Sequence, residues 1–520
     1  MSAFLLAGLA RAQSVAESAS TASGKGRILL VLPFDNRSGQ LRLEWIREAA
    51  PDILSSRLTS AGFSPMSRTD RLYALDHLGL PQGFQPSRAS MLKLAQTLDA
   101  DSIIVGSYIT DGTAIVAEAQ LVDVPQLHMS EAVTVRGEMK DMVAVFDSLA
   151  WKLTRQLDPG FSVAEETFVA AGKGLRLDAF EQYIRGISEA DQSEQLRHLQ
   201  KAVELDPGYG AAWMALGREE YQNQKYEEAA EAFAKVGRKD ADALEAGFYR
   251  GLSLLFSGGY PKAEEAFAGV ARELPLAEVL NNEGVALARQ GKDATSLFRQ
   301  AEAADPSVAD FHFNMAVSLR RKGNPAEALN ELTQCLKLRP GDSEAQELQA
   351  SWKEMAAEPG GKRDPLERIS RTFDEVAFRQ ASQMLEQTEA ARIAALEPRQ
   401  KAQKLAVQAK DYLDHGLLLE AERNYLAAVT ADDKLAEAHA GLAEVRERTG
   451  DKSSARMEAR TSLELMPSVE AYLVMARLDL AAGHLDQAGY EAGEALKLEP
   501  GSRDAQELRQ RIDAATAQKK

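Results

Sequence analysis

Two asparagine–arginine pairs are the residues whose types and spacing best suit a binding site. Asn282 and Arg289 lie seven positions apart, and Asn314 and Arg321 repeat this spacing 32 residues later. On a helix, an offset of seven keeps both side chains on one side. An amide can hydrogen-bond a partner's backbone, and an arginine offers a planar fork to a carboxylate. The pairs therefore predict a site for a peptide. The alternative is that they are solvated polar residues on an exposed helix face.

The residue patterns that signal catalysis or metal binding are missing from the sequence. Its seven histidines are scattered, and none forms an H-x-x-x-H or H-E-x-x-H pair, the spacings that put metal ligands on one helix face. Gly172-Lys-Gly174 lacks the glycine spacing and the following Ser or Thr of a phosphate loop. Cys335 is the only cysteine, and its small-residue position indicates a buried thiol. The sequence predicts no catalytic residue, no metal site and no cofactor, so the protein is expected not to be an enzyme.

A glycine followed seventeen residues later by a proline recurs through the C-terminal part of the chain. These pairs are Gly258/Pro275, Gly323/Pro340, Gly450/Pro467 and Gly483/Pro500. Between them stand a small residue and, four positions later, a bulky one, as in Ala263/Phe267. Glycine suits a turn with positive φ, the small residue allows close helix approach, and proline ends the second helix. A unit of about 34 residues built this way predicts stacked helix pairs, which form a binding surface rather than an enclosed pocket.

The repeats resemble the tetratricopeptide repeat (TPR) family over most of residues 179–517. Trp213-x-x-Leu216-Gly217, followed by Tyr226, fits the family pattern. The resemblance implies that the first helix of each unit lines a concave face. It therefore implies that the two asparagine–arginine pairs face a groove, and that the partner is a protein or peptide.

Four further residues are interpreted from their positions in the repeat. Tyr249 and Phe256 match the places of the asparagine–arginine pairs one unit earlier, so they are expected to add apolar contacts to the groove. His312 and His439 stand where the family places its aromatic residue, which indicates packing.

The repeats are predicted to form two arrays. Array 1 covers residues 179–357, a linker covers 358–365, and array 2 covers 366–517, each array ending in a capping helix. The stretch 366–396 has apolar residues at helical spacing, which predicts a long amphipathic helix at the start of array 2. The alternative is one continuous superhelix with a kink at the linker.

Residues 28–158 show a different pattern. A continuous apolar run beginning at Ile28 indicates a buried strand. Alternation of apolar and polar residues after Asp111-Gly112 indicates a tight hairpin. With the helical stretches between them, these segments predict a compact mixed α/β domain.

This region resembles the TolB amino-terminal-like domain. The resemblance lies in Val31-Leu-Pro-Phe-Asp-Asn-Arg-Ser-Gly39 and Ala100-Asp-Ser-Ile-Ile-Val-Gly-Ser-Tyr108. It implies an interaction module, with no chemistry assigned to particular residues. The predicted fold class is therefore α+β and multidomain, with a small mixed α/β N-terminal domain followed by an all-α TPR solenoid in two arrays.

The first residues suggest export. An apolar run from Ala3 precedes Ala10-Arg11-Ala12, an A-x-A cleavage pattern. Residues 1–12 are a possible signal peptide and 13–27 a flexible linker, which would make the protein periplasmic in a bacterium. The alternatives are a disordered alanine-rich tail and a cytoplasmic protein. No stretch of the sequence is apolar enough to cross a membrane.

The charge balance bears on the partner. With 61 Lys+Arg against 78 Asp+Glu the net charge is −17, which disfavours binding to nucleic acid. The sequence predicts a non-catalytic scaffold or adaptor that binds proteins or peptides. The alternative is a sensory or regulatory subunit whose α/β domain binds a small ligand. The identity of the partner and the oligomeric state are left open.

Overall fold

The computed structural model describes residues 28–81, 87–238, 240, 242–354, 365–373, 378, 384 and 388–519. The chain forms two compact units: Met1–Leu177 together with Arg392–Lys520, and Asp178–Ala391. The possible signal peptide 1–12, the linker 13–27 and all but the last residue of the linker 358–365 lie outside the described residues and stay predictions.

The α/β region of the first unit is built on a seven-stranded sheet. Its strands are β1 Ile28–Val31, β2 Asp35–Asn36, β3 Ser64–Pro65, β4 Ser102–Thr110, β5 Ala114–Asp123, β6 His128–Met129 and β7 Val133–Glu138. The order is β3-β1-β4-β5-β6, with β2 also beside β4 and β7 also beside β5. Strand β1 runs parallel to β3 and β4, while β4, β5 and β7 are antiparallel. The predicted mixed α/β fold is confirmed.

The hairpin between β4 and β5 forms where the sequence predicts it. Gly112 has a φ of +95°, a conformation that glycine adopts without strain. The Asp111 carboxylate accepts hydrogen bonds from the backbone N–H of Thr113 and of Ala114, both at 2.8 Å. These bonds lower the pKa of Asp111 to about 2.

Five helices belong to the α/β region, and the last of them packs on helices rather than on the sheet. They are α1 Ile46–Ser60, α2 Arg68–His77, α3 Arg88–Thr97, α4 Met142–Leu157 and the short α5 Glu165–Ala171. The Phe34 ring meets Phe146 of α4 edge-on, with ring centroids 5.7 Å apart. Gly106 of β4 makes room for this ring, because a Cβ there would come within 2.3 Å of it. The core of this region therefore depends on a residue without a side chain.

Helix pairs make up most of the rest of the described chain. The first series is α6 Leu177–Ser188, α7 Gln192–Leu205, α8 Gly210–Gln222, α9 Tyr226–Phe233, α10 Ala243–Phe256, α11 Tyr260–Glu273, α12 Ala277–Arg289, α13 Thr295–Ala304, α14 Ala309–Arg321, α15 Pro325–Leu338 and α16 Ser343–Glu354. The second series is α17 Pro398–Asp414, α18 Leu418–Ala431, α19 Ala436–Thr449, α20 Lys452–Leu465, α21 Val469–Ala481, α22 Leu485–Leu498 and α23 Arg503–Lys519.

The turn glycines of the repeats adopt the positive φ that the spacing predicts. The turn glycines Gly258, Gly323 and Gly450 have φ of +81°, +81° and +103°. A second glycine, on the first helix of several pairs, lies under the bulky residue of the second helix. A Cβ at Gly251 would approach the Phe267 ring to 2.6 Å. The Phe267 ring thus occupies the space over Gly251 as well as the space beside the small residue Ala263.

The prediction of a long amphipathic helix over 366–396 is wrong for the first residues of that stretch. Residues 365–373 are not helical, and 388–394 are. Glu367 and Phe373 are buried, with 4% and 8% of their surface exposed. Side chains of α12 and α14 bind the backbone of 368 and 370. These bonds replace the backbone hydrogen bonds that a helix would make within itself.

Short helix α5 packs against array helices within the first unit. Its Thr167 hydroxyl donates to the Glu422 carboxylate of α18, and the backbone N–H of Ala164 donates to the same carboxylate at 3.4 Å. The Glu422 side chain is fully buried and lies 3.5 Å from Nε of Arg446. The α/β region is therefore joined to the second helix series through a buried polar contact, which the sequence did not predict.

Candidate functional site

The four asparagine and arginine residues singled out in the sequence come together around one stretch of chain in the second unit. Residues 365–373, here called the groove segment, lie along the first helices of consecutive pairs. Asn282 and Arg289 reach this segment from α12, and Asn314 and Arg321 reach it from α14. The two pairs thus form one row of contacts along the segment.

The two asparagines hold the backbone of the segment. Asn314 donates from Nδ2 to the carbonyl of Arg368 and accepts from its N–H, both at 2.7 Å. Asn282 does the same for Ser370, donating at 2.8 Å and accepting at 2.9 Å. In an extended chain, alternate residues turn their N–H and C=O to the same side. Each asparagine therefore binds one residue as a neighbouring strand would.

Asn281 is a third member of this row that the sequence analysis missed. Its Nδ2 lies 3.1 Å from the Arg368 carbonyl, and its Oδ1 accepts from Asn314 at 2.7 Å. Asn281, Asn282 and Asn314 all have 0% of their surface exposed. The alternative that the two predicted asparagines are solvated is therefore wrong, because their amides are buried and paired.

The two arginines clamp a carboxylate. Arg289 donates from Nε to Glu367 Oε2 and from Nη2 to the Glu367 carbonyl, both at 2.9 Å. Arg321 pairs with the other carboxylate oxygen of Glu367 and donates to the Pro365 carbonyl at 3.4 Å. The Glu367 side chain is 1% exposed. The clamp thus binds a side-chain carboxylate in the middle of a chain rather than a C-terminus.

An acidic site for the next residue was also missed. Arg368 donates to Asp310, Asp342 and Glu344, each at 2.9 Å. Its guanidinium lies over the Phe313 ring, 3.5 Å from the centroid, a cation–π arrangement. The bond from Arg368 is the main cause that lowers the pKa of Asp342. Burial acts to lower the pKa of Arg368, but its hydrogen bonds to Asp342, Glu344 and Asp310 outweigh this and raise it.

The two predicted aromatic residues lie in the same array but play different parts. Phe256 stacks on Tyr226, with centroids 4.9 Å apart, and Arg371 of the groove segment lies over its ring at 5.4 Å. Tyr249 packs among Tyr221, Phe233 and Phe248. Its neighbour in the sequence, Phe248, is the residue that meets Phe373 of the segment, at 5.4 Å.

Among the described residues, one group of side chains has the atoms for a metal site. Glu302, His312 and Glu331 place their ligand atoms within 4.8 Å of one another. His312 bonds Glu331 through Nδ1 at 2.9 Å and the Pro306 carbonyl through Nε2 at 3.1 Å. These bonds already engage both ring nitrogens.

The same arrangement recurs in the other helix series. His439 bonds Glu458 through Nδ1 at 2.6 Å and the Asp433 carbonyl, six residues earlier, at 3.0 Å. Trp213 donates from the equivalent place to the Pro207 carbonyl at 2.9 Å. Because the bond to a carbonyl six residues back is shared by a tryptophan, it belongs to the repeat. This favours the packing interpretation of both histidines over metal binding.

His439 should make the stability of α19 depend on pH. The hydrogen bond with Glu458 is the main cause that raises the His439 pKa. The protonated ring donates to both partners, so its stabilisation is complete below the unfolded pKa of about 6.5 and is lost as pH rises through the folded value. We expect hydrogen exchange of α19 amides to report a lower opening free energy at about pH 8 than at about pH 6.

Glutamine is the informative replacement for this histidine, since Gln506 makes the equivalent bond to the Pro500 carbonyl at 2.8 Å. His439→Gln should keep that bond and remove the pH dependence. The control is His415→Gln, because the His415 side chain is 48% exposed. An opening free energy with the same pH dependence in wild type and His439→Gln would contradict the assignment.

Comparisons with known proteins found family models and solved structures that this chain resembles. Tetratricopeptide repeat family models match residues 286–351, and residues 196–243 with 250–309. The structure of YrrB, a TPR protein with an unusual peptide-binding site, is 20% identical and covers 39% of this chain and 99% of its own, with a TM-score of 0.30. A TPR protein from Parabacteroides merdae is 11% identical and covers 58% and 97%, with a TM-score of 0.26. The LpoB C-terminal domain from Salmonella enterica is 19% identical and covers 22% and 84%, with a TM-score of 0.19. A comparison with curated proteins found no match.

The family-model matches confirm that the chain contains TPR repeats. Proteins with such repeats generally mediate protein–protein interactions. The family models that match lie within residues 196–351, so the resemblance of 28–158 to the TolB amino-terminal-like domain stays a prediction. None of the helices in the described part of the chain is both long and apolar enough to span a membrane.

Proposed function

We propose that this protein is a non-catalytic scaffold that binds an extended segment of a protein partner in the groove formed by α10, α12 and α14. One observation carries the proposal. Asn282 and Asn314 each bind both backbone groups of one residue, and the two bound residues are separated by one position. Such contacts recognise a chain in extended conformation whatever its side chains are.

The buried state of these amides strengthens the proposal. A buried amide without partners costs about 1–3 kcal/mol, so asparagines in this place favour a bound chain that satisfies them. Asn281 links the two, since its Oδ1 accepts from Asn314 and its Nδ2 lies 3.2 Å from Asn282 Oδ1. The row is therefore built to hold peptide backbone rather than to fill a core.

The α/β region is given a second binding role in this proposal. Its resemblance to the TolB amino-terminal-like domain implies an interaction module, and α5 connects it to the second helix series through Glu422. A scaffold of this kind would hold one partner on residues 28–158 and another in the groove. Export of the protein, which rests on residues 1–12, stays part of the proposal.

A random peptide library displayed on phage tests the groove. The bait is the full chain carrying Glu367→Ala, which removes the clamped carboxylate and weakens the hold of the groove segment. We expect enriched peptides whose affinity falls by about tenfold or more, or ~1.4 kcal/mol, when Asn282→Ala and Asn314→Ala are added. That loss follows because each asparagine supplies two hydrogen bonds to the backbone.

The control pair is Asn223→Ala with Asn330→Ala. Asn223 bonds the Glu219 carbonyl of its own helix at 2.8 Å, and Asn330 is exposed on α15. These changes should leave peptide affinity as it was. The proposal would be wrong if no peptide were enriched, or if the enriched peptides bound equally well without Asn282 and Asn314.

A further inference from the structure

The groove has two charged sites side by side, and the groove segment fills each with the opposite charge. We propose that the groove selects partner segments in which an acidic residue is followed directly by arginine, and that residues 365–373 compete with such partners from within the same chain. This inference rests on the proposed function and names the chemistry of the partner that the function requires.

The first site is specific for a carboxylate. Arg289 and Arg321 approach Glu367 from two different helices and pair with both of its oxygens. The carboxylate is 1% exposed, while the arginine side chains are 18% and 35% exposed. A basic or apolar side chain placed here would leave two arginines facing each other without a counter-charge.

The second site is specific for arginine. Three carboxylates, from Asp310, Asp342 and Glu344, surround one guanidinium that also covers the face of Phe313. A planar guanidinium can donate to several carboxylates and stack on a ring at the same time. A lysine ammonium has no planar face to stack on Phe313, so it satisfies this site only in part. An acidic residue would meet three like charges.

Backbone contacts fix the order of the two residues. Asn314 binds the N–H and C=O of Arg368 itself, and Arg289 binds the carbonyl of Glu367. With the backbone held at these points, consecutive side chains of an extended segment point to opposite sides. Exchanging the two residues would place an arginine between Arg289 and Arg321 and a carboxylate among the three acids.

The covalent connection makes the groove segment a strong competitor. Ten residues, 355–364, join it to the end of α16. A short connection of this kind raises the effective concentration of a linked ligand to the order of millimolar. A partner segment with the same chemistry must therefore compete with a ligand that is always present.

Fluorescence anisotropy with two labelled nonapeptides tests the inference. One has the sequence of residues 365–373, Pro-Leu-Glu-Arg-Ile-Ser-Arg-Thr-Phe, and the other exchanges the Glu and the first Arg, so composition and charge are equal. Each is titrated with the wild-type chain and with the chain carrying Glu367→Ala and Arg368→Ala. We expect the natural order to bind the double variant at least about tenfold more tightly than it binds wild type, because the internal competitor is weakened.

The exchanged peptide should bind the double variant at least about tenfold more weakly than the natural order does. Adding Arg289→Ala and Arg321→Ala should reduce that preference, because the site for the carboxylate is lost while the acidic site for arginine remains. Circular dichroism checks that the variants are folded, and Glu367→Gln, which keeps the shape of the side chain, serves in place of the double variant if that one unfolds.

The outcomes separate this inference from the proposed function. Equal binding of both peptides would overturn the charge order and leave the groove as a peptide site. Equal affinity of wild type and double variant for the natural order would overturn internal competition. If neither peptide bound while phage-selected peptides did, the inference would fail and the scaffold function would stand. If no peptide of any kind bound, both would fail.

Discussion

Replacing Arg289 and Arg321 together by alanine should release residues 365–373 from the groove. The Glu367 carboxylate is 1% exposed and takes its charge-assisted bonds from these two side chains. Removing the partners of a buried charge typically costs about 3–5 kcal/mol. The segment can avoid this cost by leaving the groove, so the loss should appear as local opening rather than as unfolding of the array.

Limited proteolysis measures this opening. Trypsin cleaves after arginine, and both Arg368 and Arg371 lie in the groove segment. A loss of about 3 kcal/mol raises the open population, and with it the cleavage rate at these sites, by up to roughly 100-fold. Hydrogen exchange of the amides of 366–373 should accelerate in parallel, while the amides of α12 and α14 stay protected.

The matched control removes two arginines that lie away from the groove segment. Arg272 and Arg299 are exposed on α11 and α13, and Arg272→Ala with Arg299→Ala changes the net charge by the same amount. This pair should leave the cleavage rate after Arg368 unchanged. A rate equal to wild type in the Arg289→Ala, Arg321→Ala variant would show that the clamp does not hold the segment.

Glu422→Ala should cost the first unit about 2–4 kcal/mol of stability. The Glu422 carboxylate is fully buried, accepts from the Thr167 hydroxyl and the Ala164 N–H, and faces the Arg446 guanidinium. Alanine would leave these donors without their acceptor and a cavity between α5 and α18. Urea denaturation should show the loss, and hydrogen exchange should locate it in α5. Glu437→Ala, exposed on α19, is the control and should be nearly neutral.

The same carboxylate gives a pH test. Burial is the main cause that raises the pKa of Glu422, with the bonds to Thr167 and Arg446 acting against it. A folded pKa above the unfolded one means that the folded state holds more protons, so stability falls as pH rises from the unfolded value through the folded one. Glu422→Gln keeps an acceptor for Thr167 and cannot ionise. It should cost less than alanine and flatten this pH dependence; a larger loss than that of alanine would contradict the argument.

The repeat architecture was predictable because it rests on local rules. Turn glycines such as Gly258 need positive φ, and the small and bulky residues between the turns recur at fixed spacing. The equivalence of Asn282 with Asn314 follows from the same repeat spacing. The two asparagine–arginine pairs could therefore be found from spacing alone. Asn281 was missed because only residues seven positions apart were paired. Asn281 instead lies directly beside Asn282 and adds a hydrogen bond to the Arg368 carbonyl.

The groove segment itself could not be predicted from local pattern. Leu366, Ile369 and Phe373 are spaced as on a helix face, and nothing in the segment's own residues shows that its backbone bonds go to α12 and α14. The acidic site for Arg368 was equally hidden. Its carboxylates come from separate helices and a turn. Because the chain has 78 acidic residues, the sequence does not indicate which three the fold brings together.

The asparagine row has a consequence for how partner sequences can diverge. Asn314 and Asn282 engage residues two positions apart, and the arginine clamp fixes the residue just before the first of them. Deleting or inserting one residue inside that stretch would change the spacing of these two residues. The backbone N–H and C=O of one of them would then point away from its asparagine. Substitutions elsewhere in the stretch leave those bonds intact. Partner motifs should therefore change over evolution by exchange of single residues, while their length stays constant.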